Sequence, residues 1–376
     1  MASGSKPGDP GKAGGFWQRL VGRLSEGGQA PPGEPAALPT VQHKQASSAP
    51  LPHASPPPDL HDFELGAEIG RGAMAIVYKA TQRSTGRQVA VKRLALSREF
   101  SAEDLADVRE RFMREASAAR ALEHPDILQV VDAGQDGGDA WLALDYVLGW
   151  DLSLFTKAGQ LLPVREVVQI GVRLARALHY AHSQGIIHRD IKPANVMLDR
   201  VNGGLKLMDF GIARVGDGSR TRTGLVLGTP SFMSPEQLSG LTVDGRSDLY
   251  SLGVLLYQLL TGSLPHQSDS MARLMQQIAT QPPPDVRIHR PGLPESLALV
   301  LAVSQEKRPE LRYPSGEQMA RDLEAVLIMD LQSEPLAPEP VKSLDAAFAQ
   351  TLRLTPEEAG QNRLSPAEPH EPPQAS

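Results

Sequence analysis

The chain has 376 residues, with 38 Lys+Arg against 44 Asp+Glu and a formal net charge of −6. Hydrophobic residues make up 40% and charged residues 22%, ordinary globular usage, so a wholly disordered chain is excluded and one large or two modest domains can form. The mild acidity argues against a general nucleic-acid binder, which needs a basic surface to neutralise phosphates. The absence of cysteine removes disulfides, thiolate metal sites and a cysteine nucleophile.

Residues 1–58 hold 11 Pro and 9 Gly. Such a stretch cannot bury enough apolar area to offset its ordering entropy and reads as a disordered tail. It opens with no apolar run, so no secretory signal is expected. Within it Phe16, Leu20 and Leu24 recur at helical spacing, with Trp17 and Val21 beside them and Arg19 and Arg23 adjacent. This is either a chance cluster or a short docking helix for a partner, for the folded part or for a membrane surface.

Residues 62–95 alternate with period 2 (FELGAEIGRG, AIVYKATQ, a turn at Ser84-Thr85-Gly86, RQVAVKRL), which predicts a meander of strands. A helix is expected over about Ala102–Leu122, with Leu105, Val108, Phe112 and Ala119 on one face. Short strands follow near Leu128–Asp132 and Ala140–Tyr146. Beyond Gly149 the pattern turns mainly helical, as in Val167–His182, which Gly185 ends. The longest apolar run, Leu252–Leu260, is about half of the ~20 residues a membrane helix needs and reads as a buried core helix. From about residue 333 the chain is Pro- and Glu-rich, a second disordered tail at 333–376. Strands first and helices later imply an α+β protein of two lobes, soluble and cytoplasmic by expectation.

Chemistry concentrates in a few motifs. Gly70-Arg71-Gly72-Ala73-Met74-Ala75 fits G-x-G-x-x-G/A. A dinucleotide site needs a helix next and an acidic residue ~20 positions on; instead the strand-like Ile76–Ala80 follows. The Gly-Lys-Ser/Thr of a Walker loop is also missing. A glycine loop between two strands, covering phosphates from above, fits better, and a plain hairpin turn is the alternative. Val89-Ala90-Val91-Lys92 puts an ammonium on the next strand, suited to phosphate oxygens. Glu115 is a candidate partner for it or, alternatively, an ordinary solvated carboxylate. His188-Arg189-Asp190-Ile191-Lys192-Pro193-Ala194-Asn195, Asp209-Phe210-Gly211 and Ser234-Pro235-Glu236 follow in that order.

This order and spacing resembles the protein kinases, most of all the Hanks-type, eukaryotic-like Ser/Thr kinases of bacteria. The resemblance covers 62–328 and implies a two-lobed kinase-like fold. A small lobe, 62–147, would carry an antiparallel sheet and one helix; a larger helical lobe would span 148–328. It implies that Lys92 holds the α- and β-phosphates and pairs with Glu115, beneath Gly70 and Gly72. Asp190 would accept or orient the proton of the substrate hydroxyl, and Lys192 would contact the γ-phosphate. Asn195 and Asp209 would bind Mg²⁺, with Mn²⁺ as an alternative. Ile69 and Val77 would roof the adenine, Ala90 would line its pocket and Leu144 would be the gatekeeper. The backbone of Asp145 and Val147 would bond the base, with Met197 as floor. Thr229 would tie the substrate-docking loop to Asp190 and Lys192, Arg312 would pair with Glu236, and Asp248 would brace the catalytic loop.

Arg189 directly before Asp190 implies activation-loop control, with a phosphate on Thr221 or Thr223 pairing with Arg189 and Arg214. Three departures from the family pattern stand out: Ala75 for the third glycine, Ser234 for the usual Ala, and Arg308 where many relatives are acidic. The expected function is an ATP-dependent Ser/Thr protein kinase controlled by activation-loop autophosphorylation. Its expected partners are protein substrates, with no nucleic acid and no transmembrane segment; the resemblance allows a homodimer, and the tails are open to unknown partners. A nucleotide-binding scaffold and a small-molecule phosphotransferase are the competing readings. The complete GTPSFMSPE segment, which would build a docking floor for a peptide, argues against the latter.

Overall fold

Alternation along the first strands has a direct structural counterpart. The computed structural model describes residues 60, 62–72, 75–101, 103–137, 139–210 and 230–332. Both predicted tails, the Phe16–Leu24 stripe, and Arg214, Thr221, Thr223 and Thr229 lie outside these residues. Strands β1 (Phe63–Arg71), β2 (Ala75–Gln82) and β3 (Gln88–Leu94) form the expected antiparallel meander. After a single helical turn, α1 (Leu96–Glu99), the chain enters α2 (Leu105–Arg120). It then returns as β4 (Val130–Asp136) and β5 (Asp139–Asp145). The five-stranded sheet has the order β1-β2-β3-β5-β4, so the hairpin folds back and β5, not β4, pairs with β3.

The sheet's two faces bury different sets. Val89, Val91, Phe63, Trp141 and Ala143 pack together on one. Leu94, Leu142 and Leu144 pack on the other against Val108, Phe112, Ala116 and Ala119 of α2, the stripe expected from the period of 3.6. The helix starts at Leu105 rather than near Ala102, because Ser101 and Asp104 hydrogen-bond each other in a turn just before it. Strand β4 likewise starts later than expected. The segment before it pairs with the other lobe, Leu128 donating to Leu207 O at 2.9 Å and Leu207 to Asp126 O at 2.8 Å.

The rest is mainly helical. Strands β6 (Trp150–Asp151), β7 (Val196–Asp199) and β8 (Gly204–Leu207) make a small sheet. Around it lie α3 (Val164–Ser183), the single turn α4 (Pro235–Leu238), α5 (Gly245–Thr261), α6 (Met271–Thr280), α7 (Glu295–Ser304) and α8 (Gly316–Met329). The apolar run Leu252–Leu260 is the middle of α5; all of it except Gln258 is buried, and Gly262 at φ 76° ends the helix in the left-handed region. Helix α8 lies so close to α3 that a Cβ at Gly316 would stand 2.1 Å from Ala175 O. Backbone cannot yield as a flexible side chain does, so Gly316→Ala should destabilise the fold by about 1–3 kcal/mol, read as a lower urea midpoint at unchanged m-value.

Candidate active site

Sheet register builds the upper wall of the cleft. Gly70 lies opposite Val77, Val77 opposite Lys92, and Lys92 opposite Leu142, one row across four strands. Alternate residues share a face, so Ala90 and Lys92 lie on the α2 side while Val89 and Val91 go to the opposite cluster. The Lys92 side chain is 15% exposed and its Nζ stands 2.6 Å from Asp209 Oδ1. Glu115 is on α2, half-buried, with its Oε2 closed off from solvent. The Gly72 amide donates to Ala75 O at 2.8 Å, closing the turn between β1 and β2. Among the described residues, chain neighbours aside, nothing comes nearer than 3.8 Å to a Cβ on Gly70 or Gly72. The described neighbours leave room for side chains there, room that also suits a ligand's close approach.

The lower wall is the loop 188–195. His188 is fully buried between Asp190 and Met208. Its Nδ1 accepts from the Asp190 amide at 3.2 Å, so Nε2 carries the proton and donates to Met208 O at 2.7 Å. Burial pulls its pKa below the ordinary range, against the opposing pull of Asp248, and keeps the ring neutral. The ring rests on Phe210, centroids 4.6 Å apart. Two donors converge on Asp190 Oδ2: Lys192 Nζ at 2.7 Å and Asn195 Nδ2 at 2.9 Å. Asn195 Nδ2 also reaches Asp190 O at 2.7 Å. Met208 donates to Asn195 O at 2.8 Å, which sets the following residue, Asp209, beside the loop.

These side chains suit magnesium. With Nδ2 spent on Asp190, Asn195 has its hard Oδ1 left, and Asp209 supplies a carboxylate. Among the described residues there is no cluster of three or more His, Cys, Asp or Glu able to hold a metal. A pair of oxygen ligands is what Mg²⁺ takes when phosphates and water complete its shell.

At the connection between lobes, Leu144 is buried and Val147 packs against the same cluster. The Asp145 amide is occupied by Gln129 O at 3.1 Å and its carboxylate by Arg87. Met197 is half-buried on β7, opposite Asp151 and Lys206, and Ile69 on β1 is 46% exposed.

Two buried carboxylates anchor the surroundings. Asp248, in the first turn of α5, accepts from His188 N at 2.8 Å and Arg189 N at 2.7 Å, and its Oδ2 is 2.8 Å from His182 Nε2. Glu236 takes a two-pronged pair from Arg312, 2.6 and 2.7 Å, and the Ser247 hydroxyl at 2.5 Å. The guanidinium also donates to Glu306 O and Lys307 O and lies 4.9 Å from the Tyr250 ring centroid.

A family model, the protein kinase domain, matches residues 63–320. The chain belongs to the protein kinase family. It is 42% identical over 274 residues to a probable serine/threonine-protein kinase of Streptomyces coelicolor, covering 70% of this chain and 40% of that one. It is 41% identical to the serine/threonine-protein kinase PknJ of Mycobacterium tuberculosis, covering 70% and 45%. These relatives set it among the Hanks-type bacterial Ser/Thr kinases, and it spans less than half of their length. The solved kinase domain of Mycobacterium tuberculosis PknI superposes with TM-score 0.57 at 32% identity, over 70% of this chain and 96% of that one. Rad53 in complex with AMP-PNP gives 0.58 at 25%, over 69% and 64%.

The kinase motifs thus bring together Lys92 with Asp209, Asp190 with Lys192 and Asn195, Asp248 with the loop, and Glu236 with Arg312. Three contributors were missed: His182, Ser247 and Gln237. Ser234, the departure from the usual Ala, is buried and caps α4 in a reciprocal box with Gln237. The pattern S-x-x-Q with Pro at the first helical position carries that signal. Arg308 is exposed and pairs with Glu310 at 2.9 Å, a solvent-side substitution.

Burial alone would raise the Glu236 pKa; the Arg312 and Ser247 hydrogen bonds outweigh it and hold it below the ordinary 4.5. A lowered carboxyl pKa contributes stability that is complete above the unfolded value and lost as pH falls through the folded one. Arg312→Met strands that charge and should cost about 3–5 kcal/mol at pH 7. The gap from wild type should shrink in urea melts carried below the ordinary glutamate pKa, where Glu236 protonates.

Proposed function

We propose that this protein transfers the γ-phosphoryl group of Mg-ATP to serine or threonine hydroxyls of protein substrates. The observation that carries the reading is the convergence of Lys192 and Asn195 on one oxygen of Asp190, beside the Lys92–Asp209 pair. In this reading Lys92 holds the α- and β-phosphates under the Gly70–Gly72 turn, and Glu115 supports Lys92 from α2. Ile69, Val77, Ala90 and Met197 enclose the adenine behind Leu144, with the backbone of Asp145 and Val147 along its edge. Asn195 and Asp209 hold magnesium, which draws charge from the phosphates when bound.

The hydroxyl oxygen bonds to the γ-phosphorus and the bond from that phosphorus to the β–γ bridging oxygen breaks. The hydroxyl proton passes to Asp190, and ADP leaves with the bond's electron pair. A transition state this loose asks for placement more than for a strong base, and two donors on Oδ2 set the plane of the Asp190 carboxylate. The catalytic module in this reading is 62–328, divided at 147/148 and flanked by the tails 1–58 and 333–376. It works in the cytoplasm, where ATP and protein substrates meet. No helix among the described residues is long and apolar enough to cross a membrane.

Purified protein incubated with Mg·ATP should gain whole phosphates in its intact mass. Asp190→Asn should slow this by about 10²–10⁴-fold while keeping the rise in melting temperature that ATP causes, and Lys92→Ala should lose that rise. Retained transfer in Asp190→Asn would sink the reading.

Activation-loop control is the second part. Peptide mapping of the active protein should find phosphate on Thr221 or Thr223, absent when Asp190→Asn is incubated alone. The double variant Thr221→Ala/Thr223→Ala should show a kcat reduced about tenfold or more. Phosphate on neither threonine, with full activity, removes autophosphorylation from the account.

A further inference from the structure

We propose that Gln237 is a positioning residue for Asp190: its side-chain amide fixes the peptide plane that precedes the aspartate and ties that plane to the segment entering α4. The inference rests on the phosphotransfer reading of the site.

The bonds leave no freedom in how the Gln237 amide is turned. Its Oε1 accepts from the Ser234 backbone amide at 3.0 Å and lies 3.1 Å from the Ser234 hydroxyl; its Nε2 donates to Arg189 O at 3.0 Å. A backbone N–H can only donate and a carbonyl only accept, so a flipped amide would set like groups against each other at both ends. Ser234 is fully buried, and its hydroxyl oxygen in turn accepts from the Gln237 backbone amide at 3.4 Å.

What Gln237 holds is a strained link. Arg189 has φ 66°, left-handed backbone that a residue with a side chain rarely adopts. Its amide is pinned by Asp248 Oδ1 at 2.7 Å. The next peptide unit joins the Arg189 carbonyl to the Asp190 amide. Gln237 grips its oxygen end, and His188 Nδ1 accepts from its N–H end at 3.2 Å. Rotation of this unit would swing the Asp190 Cα and with it the carboxylate that Lys192 and Asn195 hold. Gln237 thus grips this unit from outside the loop 188–195. It arrives from the turn Pro230–Phe232 and helix α4, which directly follow Thr229. Seating of that segment and orientation of Asp190 become a single event.

The test uses the full chain, with initial rates of autophosphorylation at varied Mg·ATP and affinity for AMP-PNP. Gln237→Met keeps length and helix preference but donates nothing; Gln237→Glu sets a carboxylate against the Arg189 carbonyl. The expected result is a kcat lower by about tenfold or more in both, worse for Glu, with KM for ATP and AMP-PNP affinity within about twofold of wild type. Rates within about twofold of wild type in both variants would overturn the inference. So would AMP-PNP affinity falling in step with kcat, which marks general damage. Should Gln237→Met fail to fold, Ser234→Ala leaves Nε2 and the Ser234 backbone bond in place and removes the hydroxyl that contacts Oε1 and caps α4. A kcat loss of about two- to fivefold at unchanged ATP affinity supports the inference, and no loss overturns it. A wild-type protein that transfers no phosphate removes the phosphotransfer reading itself, and this inference with it.

Discussion

One buried carboxylate holds the lower half of this site in place. Asp248 is 1% exposed, and its charge is met by two backbone amides, His182 Nε2 and the first-turn position on α5. Helix N-terminal backbone and directed N–H groups stabilise such a charge. Remove those donors and the carboxylate would be stranded in the core; remove the carboxylate and the turn at His188–Arg189 would lose what keeps Arg189 left-handed. Geometry around it is tight. A Cβ on Gly245 would stand 2.5 Å from the His182 ring, so α5 can begin against α3 only where there is no side chain.

The residue before Asp248 serves a different segment. Ser247 donates to Glu236 at 2.5 Å, and Glu236 binds Arg312 from the far end of the fold. Consecutive residues on one helical turn therefore fasten the loop 188–195 and α4 to the same buried helix. Gln237, next to Glu236, closes the circuit back to Arg189. Each joint is made of directed hydrogen bonds in a poorly solvated place, where geometry is enforced more strictly than at the surface.

Much of this was legible in the residues. Val89-Ala90-Val91-Lys92 announces its two faces by alternation, and the stripe on α2 follows from Val108, Phe112 and Ala119. Motif order brought Asp190, Lys192, Asn195 and Asp209 to one place. Strand order was not legible, because pairing of β5 with β3 is decided by packing across the sheet rather than by the pattern within either strand. The ends of α2 and β4 shifted for the same kind of reason: Ser101 with Asp104, and Leu128 with Leu207, satisfy backbone groups by contacts that periodicity does not register. The bond between Ser234 and Gln237 is local and was visible as a capping pattern, yet its link to Arg189 spans 48 positions and needed the fold.

The way the upper sheet is attached has a mechanical consequence. The chain passes between lobes at 146–149. Asp145 is bound to Arg87, and Lys79 Nζ sits 4.9 Å above the Tyr146 ring, so the start of this passage travels with β2 and β3. Its end belongs below: a Cβ on Gly149 would meet Leu198 O at 2.6 Å, and Trp150 pairs with Leu198. Articulation is left to Val147 and Leu148. A further attachment is the bridge of Asp126–Leu128 to Leu207. Both of these attachments lie at the β5–β4 side of the sheet, whereas Gly70 and Gly72 lie at the β1–β2 side. In the phosphotransfer reading the base would sit beside Val147, close to these attachments. The glycine turn lies farther from these attachments, so in the phosphotransfer reading a small rotation of the upper sheet about them would displace Gly70 and Gly72 more than Val147.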